Sequence, residues 1–237
     1  MNITDTRVRS ILIAGALSLS SYSAQANSFY SFGDSLTDNG ISVREFGAAI
    51  GNAPGRYPGA DGKFTNGSTW AEVLPGLSGL SFSDTNGYAI GGAKSGYSGF
   101  DDALVGAPTG FLTQIEKFRS DVVSGKKFLG ENDLVGIWIG TNDIFDDASL
   151  AALDTYVNNI ETGIRTLQAL GAHNFVLIGS DDVSLLAGPS SAVDPGIEAL
   201  SNAAKNFNQK LLALNISNVN IYVQAGGFTL SRLSWPR

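Results

Sequence analysis

Ser35, the Gly91-Gly92 pair and Asn142 are the residues of this chain whose types and settings could do chemistry together. Ser35 stands in Phe32-Gly33-Asp34-Ser35-Leu36, the glycine pair in Gly91-Gly92-Ala93, and Asn142 in Gly140-Thr141-Asn142-Asp143. Each segment follows an apolar run that reads as a strand. In a parallel sheet all three would lie beyond the carboxyl ends, where such sheets bind their ligands. A hydroxyl, a closely approached backbone N–H and a side-chain amide would then share one rim. Acyl transfer needs that set: a nucleophile, plus donors aimed at the oxyanion that develops.

Composition narrows the alternatives. The 237 residues hold no Cys, which removes a thiol nucleophile, a disulfide scaffold and a cysteine zinc site. A net charge of −7 argues against gripping nucleic acid, because phosphate binding needs a basic face. The stretch from Gly87 to Ser95 nearly spells a phosphate-binding loop, but Lys94 comes one place late. Asp143, Asp146 and Asp147 lack the spacing of a calcium loop and read as solvated cap carboxylates. Neither a metal nor a cofactor is expected.

The elements that must position these residues are legible in outline. Ser28 to Phe32, Tyr88 to Ile90, Leu134 to Ile139, Phe175 to Ile178 and Val219 to Val223 read as strands. Leu134 to Ile139 is apolar throughout, as suits a central strand covered on both faces. Helical spacing appears from Phe111 to Val122. It recurs in the stripe Leu153, Tyr156, Val157, Ile160, Ile164 and Leu167, which Gly171 stops. Asp194-Pro195 opens a further helix along Ile197, Leu200, Ala204, Phe207 and Leu211. Ser68 to Leu77 reads as a short helix capped by Ser68, and Asn39 to Asn66 mainly as loop. Strands alternating with helices imply right-handed crossovers and a parallel sheet between helical layers, in one domain over residues 27–237. Met1 to about Ala26 reads as a secretory signal peptide: Arg7 and Arg9, a short apolar run, then Ala24-Gln25-Ala26. The chain is therefore expected to be exported to the periplasm, cell surface or medium.

Phe32-Gly33-Asp34-Ser35-Leu36-Thr37-Asp38 resembles the first block of the GDSL, or SGNH, serine esterases and lipases. Ala89-Ile90-Gly91-Gly92-Ala93 resembles the second block and Gly140-Thr141-Asn142-Asp143 the third. The segment from Gly62 to Trp70 is similar to one common between the first two, and the likeness runs from Phe29 to about Tyr222. The resemblance implies a three-layer α/β/α fold with a flavodoxin-like parallel sheet. It implies Ser35 as nucleophile, with an oxyanion hole formed by the N–H of Ser35, the N–H of Gly92 and the side chain of Asn142. Gly91 competes with Gly92 for that role. Asp34 and Asp38 read as structural, fixing the turn through backbone hydrogen bonds. The implied substrate is a small-molecule or lipid ester.

One block does not match. The family's general base sits in an Asp-x-x-His near the C-terminus, and this chain contains no such motif. Its one histidine, His173, precedes the fourth strand and so falls at the amino end of the sheet. A five-residue strand separates the two rims by about 16 Å, whereas a base must come within about 3 Å of its proton. Asp181 and Asp182 reach the correct rim, but an ordinary carboxylate is a weak base for a serine hydroxyl. The expectation is a chain shortened near Gln224, lacking the C-terminal part of the fold, with impaired hydrolysis. A non-catalytic exported binding module is the alternative. So is a fragment of a surface-anchored esterase, held at an outer membrane only through a missing C-terminal segment.

Overall fold

The computed structural model describes residues 27–47, 61–181 and 195–224. The signal peptide expected at 1–26, Asp182, Asp194 and the C-terminal tail lie outside the described residues. Among the described residues, four strands, β1 (Phe29–Gly33), β2 (Leu134–Trp138), β3 (Asn174–Ile178) and β4 (Asn220–Gln224), form one sheet in the order β1-β2-β3-β4. Every pairing is parallel, and the register aligns Gly33, Trp138, Ile178 and Gln224 at the carboxyl rim. The first three strands are buried along their whole length, which is why they read as continuous apolar runs.

Among the described residues, seven α-helices accompany the sheet: α1 (Ile41–Phe46), α2 (Trp70–Ser78), α3 (Asp102–Val105), α4 (Phe111–Val123), α5 (Thr141–Asp146), α6 (Leu150–Ala169) and α7 (Pro195–Leu212). Alternate strand residues face opposite ways. Tyr30, Phe32, Val135, Ile137, Phe175 and Leu177 pack with the apolar stripes of α4, α6 and α7. Phe29, Leu134 and Val176 face the other side, where Ala71, Trp70 and Leu74 of α2 cover them. Gly136 has no side chain because Trp70 and Phe29 fill its place: a Cβ there would stand 2.5 Å from the Trp70 ring. The result is three layers, helices on both faces of a parallel sheet.

The stretch expected as a strand at Tyr88–Ile90 runs along the free side of β1. Tyr88 N donates to Ser31 O at 2.8 Å and Ile90 N to Gly33 O at 3.1 Å. From β1 the chain thus moves outward to this edge, then back across to β2. That reversal puts α2 on the opposite face from α4, α6 and α7, since right-handed crossovers in opposite directions cover opposite faces. It also makes the gap between the ends of β1 and β2 the topological switch point, the usual crevice of such sheets.

One local reading is refined and another corrected. The segment Asn39–Asn66, expected mainly as loop and described at 39–47 and 61–66, contains α1, which at six residues is too short to show helical periodicity. The cap of α2 is Thr69 rather than Ser68, because Glu72 Oε2 accepts from Thr69 N at 2.6 Å and so fixes the first turn one residue later.

Candidate active site

The Ser35 turn is built by the carboxyl end of β1. Gly33 has φ +149, and a Cβ there would lie 2.2 Å from Trp138 O, so only glycine lets β1 approach β2 so closely. Asp34 N then donates to Trp138 O at 3.3 Å. The chain turns over Asp34, whose carbonyl accepts from Thr37 N and Asp38 N at 3.0 Å each. Its carboxylate accepts from Leu36 N at 3.0 Å. Asp34, Thr37 and Asp38 are buried by this arrangement, while Ser35 stays partly exposed at the turn's apex. Trp70 Nε1 donates to Thr37 Oγ1 at 3.0 Å and ties the turn to α2.

Gln114 of α4 holds the same turn from the other side. Its Oε1 accepts from Gly33 N at 3.0 Å, and its Nε2 donates to Gly33 O at 2.8 Å. Sequence reasoning passed over this residue. The signal was present: Gln114 is a polar side chain among the buried positions 111, 112, 115 and 118 of an amphipathic helix. A buried amide there must find partners.

Asp38 governs the glycine pair. Its carboxylate accepts from Gly40 N at 2.9 Å, from the Ser42 hydroxyl, and from Gly91 N at 3.1 Å. The N–H of Gly91 is therefore occupied. Gly92 follows with φ +76, partly exposed, and its N–H meets no acceptor among the described residues. Both Asp34 and Asp38 thus bind backbone groups, as expected of structural carboxylates.

Asn142 lies in the first turn of α5, beyond β2. Gly140, at φ +118, makes the entry, and the Phe207 ring occupies the space a side chain would need there. Asn142 Nδ2 donates to Ala93 O at 2.9 Å, which brings its amide to the residue after Gly92. The neighbouring Asp143 accepts from Ser95 N at 2.8 Å and Ser95 Oγ at 2.7 Å, and Asn159 Nδ2 donates to that hydroxyl at 3.1 Å. α5 and α6 together clasp the loop that carries Gly92. These bonds place the Ser35 turn, the Gly91-Gly92 pair and Asn142 on one rim of the sheet.

Three carboxyls crowd beneath that rim. Burial lifts Asp34 from 3.8 to about 7, helped by the nearby Asp143 and Asp181 charges and opposed by the Leu36 hydrogen bond. Burial also lifts Asp143 to about 6 against the hydrogen bonds from Ser95. Asp181 is raised by burial alone. The acidic run after Asn142 has separate partners: Asp146 pairs with Lys94 at 2.8 Å, and Asp147 accepts from Ser149 N at 2.8 Å. Among the described residues, no group of three or more His, Cys, Asp or Glu could hold a metal ion.

His173 lies where the strand order predicts. It immediately precedes β3, its Nδ1 stands 3.2 Å from Asn218 O, and its carbonyl accepts from Asn220 N at 2.7 Å. That is the amino end of the sheet. Five registered rows of parallel strand separate it from the rim of Ser35.

The model of the GDSL-like Lipase/Acylhydrolase family matches residues 29–229. A GDSL esterase/lipase of Arabidopsis thaliana is 23% identical over 80% of this chain and 63% of its own. An acetylesterase of Hypocrea jecorina is 28% identical over 65% of this chain and 48% of its own. The chain thus spans about half to three-fifths of the length of these curated relatives. A crystal structure of a catalytic mutant of an acetylxylan esterase from Geobacillus stearothermophilus aligns with a TM-score of 0.43 at 16% identity, covering 82% of this chain and 74% of that one. With a family match over most of its length and a parallel sheet between helical layers, the chain belongs to the GDSL-like lipase/acylhydrolase family of hydrolases.

Proposed function

We propose that Ser35 is the nucleophile of carboxylic-ester hydrolysis, and that the N–H groups of Ser35 and Gly92 and the Asn142 amide bind the oxyanion. The observation that carries this reading is the division of labour between the two glycines. Asp38 takes the N–H of Gly91 and leaves that of Gly92 open, one residue from the carbonyl that orients Asn142. In the reaction Ser35 Oγ adds to the ester carbonyl carbon, and the three donors take up the charge that develops on oxygen. The carbon–oxygen bond to the alcohol then breaks, the alcohol carrying away the proton that Ser35 gave up, and water cleaves the acyl-serine ester to release the acid and restore the hydroxyl. The relatives are named for ester substrates, which supports a carboxylic ester as the bond cleaved.

The proton of Ser35 needs an acceptor. His173 is the only histidine in the sequence and lies at the other end of the sheet. We therefore propose slow turnover for this chain: loss of a base costs on the order of a millionfold, while donors and binding retain roughly a thousandfold over water. Residues 1–26 support export of the chain. Among the described residues, no helix is long and apolar enough to cross a membrane.

Fluorophosphonate labelling followed by peptide mass spectrometry tests the assignment. Label on Ser35, lost in Ser35→Ala, is expected. Absence of label, together with equal nitrophenyl acetate turnover by the parent and Ser35→Ala, would replace the enzyme reading with that of a binding module. The distance of His173 from Ser35 is the observation that favours that second reading.

A further inference from the structure

We propose that an apolar collar formed by Leu36, Phe100 and Phe145 receives the acyl chain of the ester, so that the site prefers chains of about eight carbons to acetyl. The proposal rests on the assignment of Ser35, Gly92 and Asn142 to one site. Each of those residues has an exposed large apolar side chain attached to its own support. Leu36, 41% exposed, follows Ser35 directly. Phe100, 51% exposed, donates its N–H to Gly92 O at 2.9 Å, and its Cβ is 3.4 Å from the point a Cβ on Gly92 would occupy. Phe145, 47% exposed, is three residues after Asn142 on α5 and therefore shares its helix face.

Of the charges nearby, Lys94 and Asp146 pair with each other, and Asp101 Oδ2 lies 3.4 Å from the point a Cβ on Gly92 would occupy. Lys94 Nζ stands 2.8 Å from Asp146 and 4.7 Å from the centre of the Phe100 ring. The ammonium binds α5 to the Phe100 loop, and its aliphatic stem widens the apolar surface. Exposed apolar groups scattered singly carry no meaning, but here one adjoins each of the three residues assigned to the reacting centre. The acyl carbonyl must lie against the oxyanion donors, so the chain beyond it starts inside the collar. Each methylene it covers is worth about a fourfold gain in affinity.

The Ser35→Ala chain holds an ester without an acylation step and allows binding to be measured by equilibrium titration. Nitrophenyl octanoate is expected to bind at least about tenfold tighter than nitrophenyl acetate, two or three of its six extra methylenes being covered. Phe100→Ser and Phe145→Ser, both surface changes whose folding circular dichroism can check, should each remove much of that difference. Equal affinity for the two esters, or a preference unaltered in both variants, would overturn the collar. Sedimentation with phosphatidylcholine vesicles covers a membrane role: vesicle binding without a preference for the single chain also overturns it. Fluorophosphonate labelling of the parent separates the two ideas. Labelled Ser35 without chain preference defeats the collar alone, and chain preference without labelling defeats the nucleophile alone.

Discussion

Asp34 shows how one residue couples the site to stability. Burial raises its carboxyl from 3.8 to about 7, so between about pH 4 and 7 the folded chain holds a proton that the unfolded chain has released. The folded state binds more protons across that window, and its stability falls as pH rises through it. Asp143, raised to about 6, acts in the same direction over a narrower window. Urea midpoints of the parent should therefore decline from pH 4 to pH 7. Asp34→Asn, which keeps an oxygen for Leu36 N, should flatten the decline; an unchanged slope would contradict the assignment. Asn142→Ala should lower the residual rate of nitrophenyl ester turnover by about 100-fold or more, the usual loss for one oxyanion donor. His173→Gln should leave fluorophosphonate labelling of Ser35 unchanged, since the strand register keeps the two residues at opposite ends. The placement of Ser35, Gly92 and Asn142 on one rim was legible because each lies just past an apolar run that a glycine stops. Gln114, Ser95 and Asn159 were not, because their value lies in partners 81, 48 and 64 residues away, and no local pattern encodes such pairs.

Among the elements, strongly periodic helices and fully buried strands were read to within three residues. The stripe from Leu153 to Leu167 became α6, and the apolar run at 134–139 became β2. Short pieces were missed for a physical reason. α1, α3 and α5 have six, four and six residues, fewer than two turns, so tertiary contacts rather than repeating pattern decide them. The contact of α6 with α4 gives a test at this scale. A Cβ on Gly163 would lie 2.4 Å from the Phe111 ring, which is completely buried. Gly163→Ala should destabilise the fold by about 1–3 kcal/mol through overpacking, despite alanine's better helix propensity. A variant at least as stable as the parent in urea would show that the two helices have room to part.

For the molecule as a whole, alternating strands and helices disclosed the layers, whereas the reversal at β1 was visible only once Tyr88–Ile90 was seen to pair with its outer edge. Phe118 knits that edge together. Its ring packs edge-on against Tyr30, Phe32 and Tyr88 at centroid distances of 5.0, 5.5 and 5.2 Å, joining α4, β1 and the outer segment. Phe118→Ala should cost about 3–5 kcal/mol in urea unfolding, as deletion of a wholly buried aromatic does. The amide of Gln114 has a kinetic corollary. Gly33 N–H is held by a helix side chain instead of a neighbouring strand. Its proton can exchange with deuterium only when α4 lifts from the sheet. The hinge beside Ser35 and the helical layer should thus loosen in a single event, and a Gly33 amide that exchanged far faster than those of α4 would separate them.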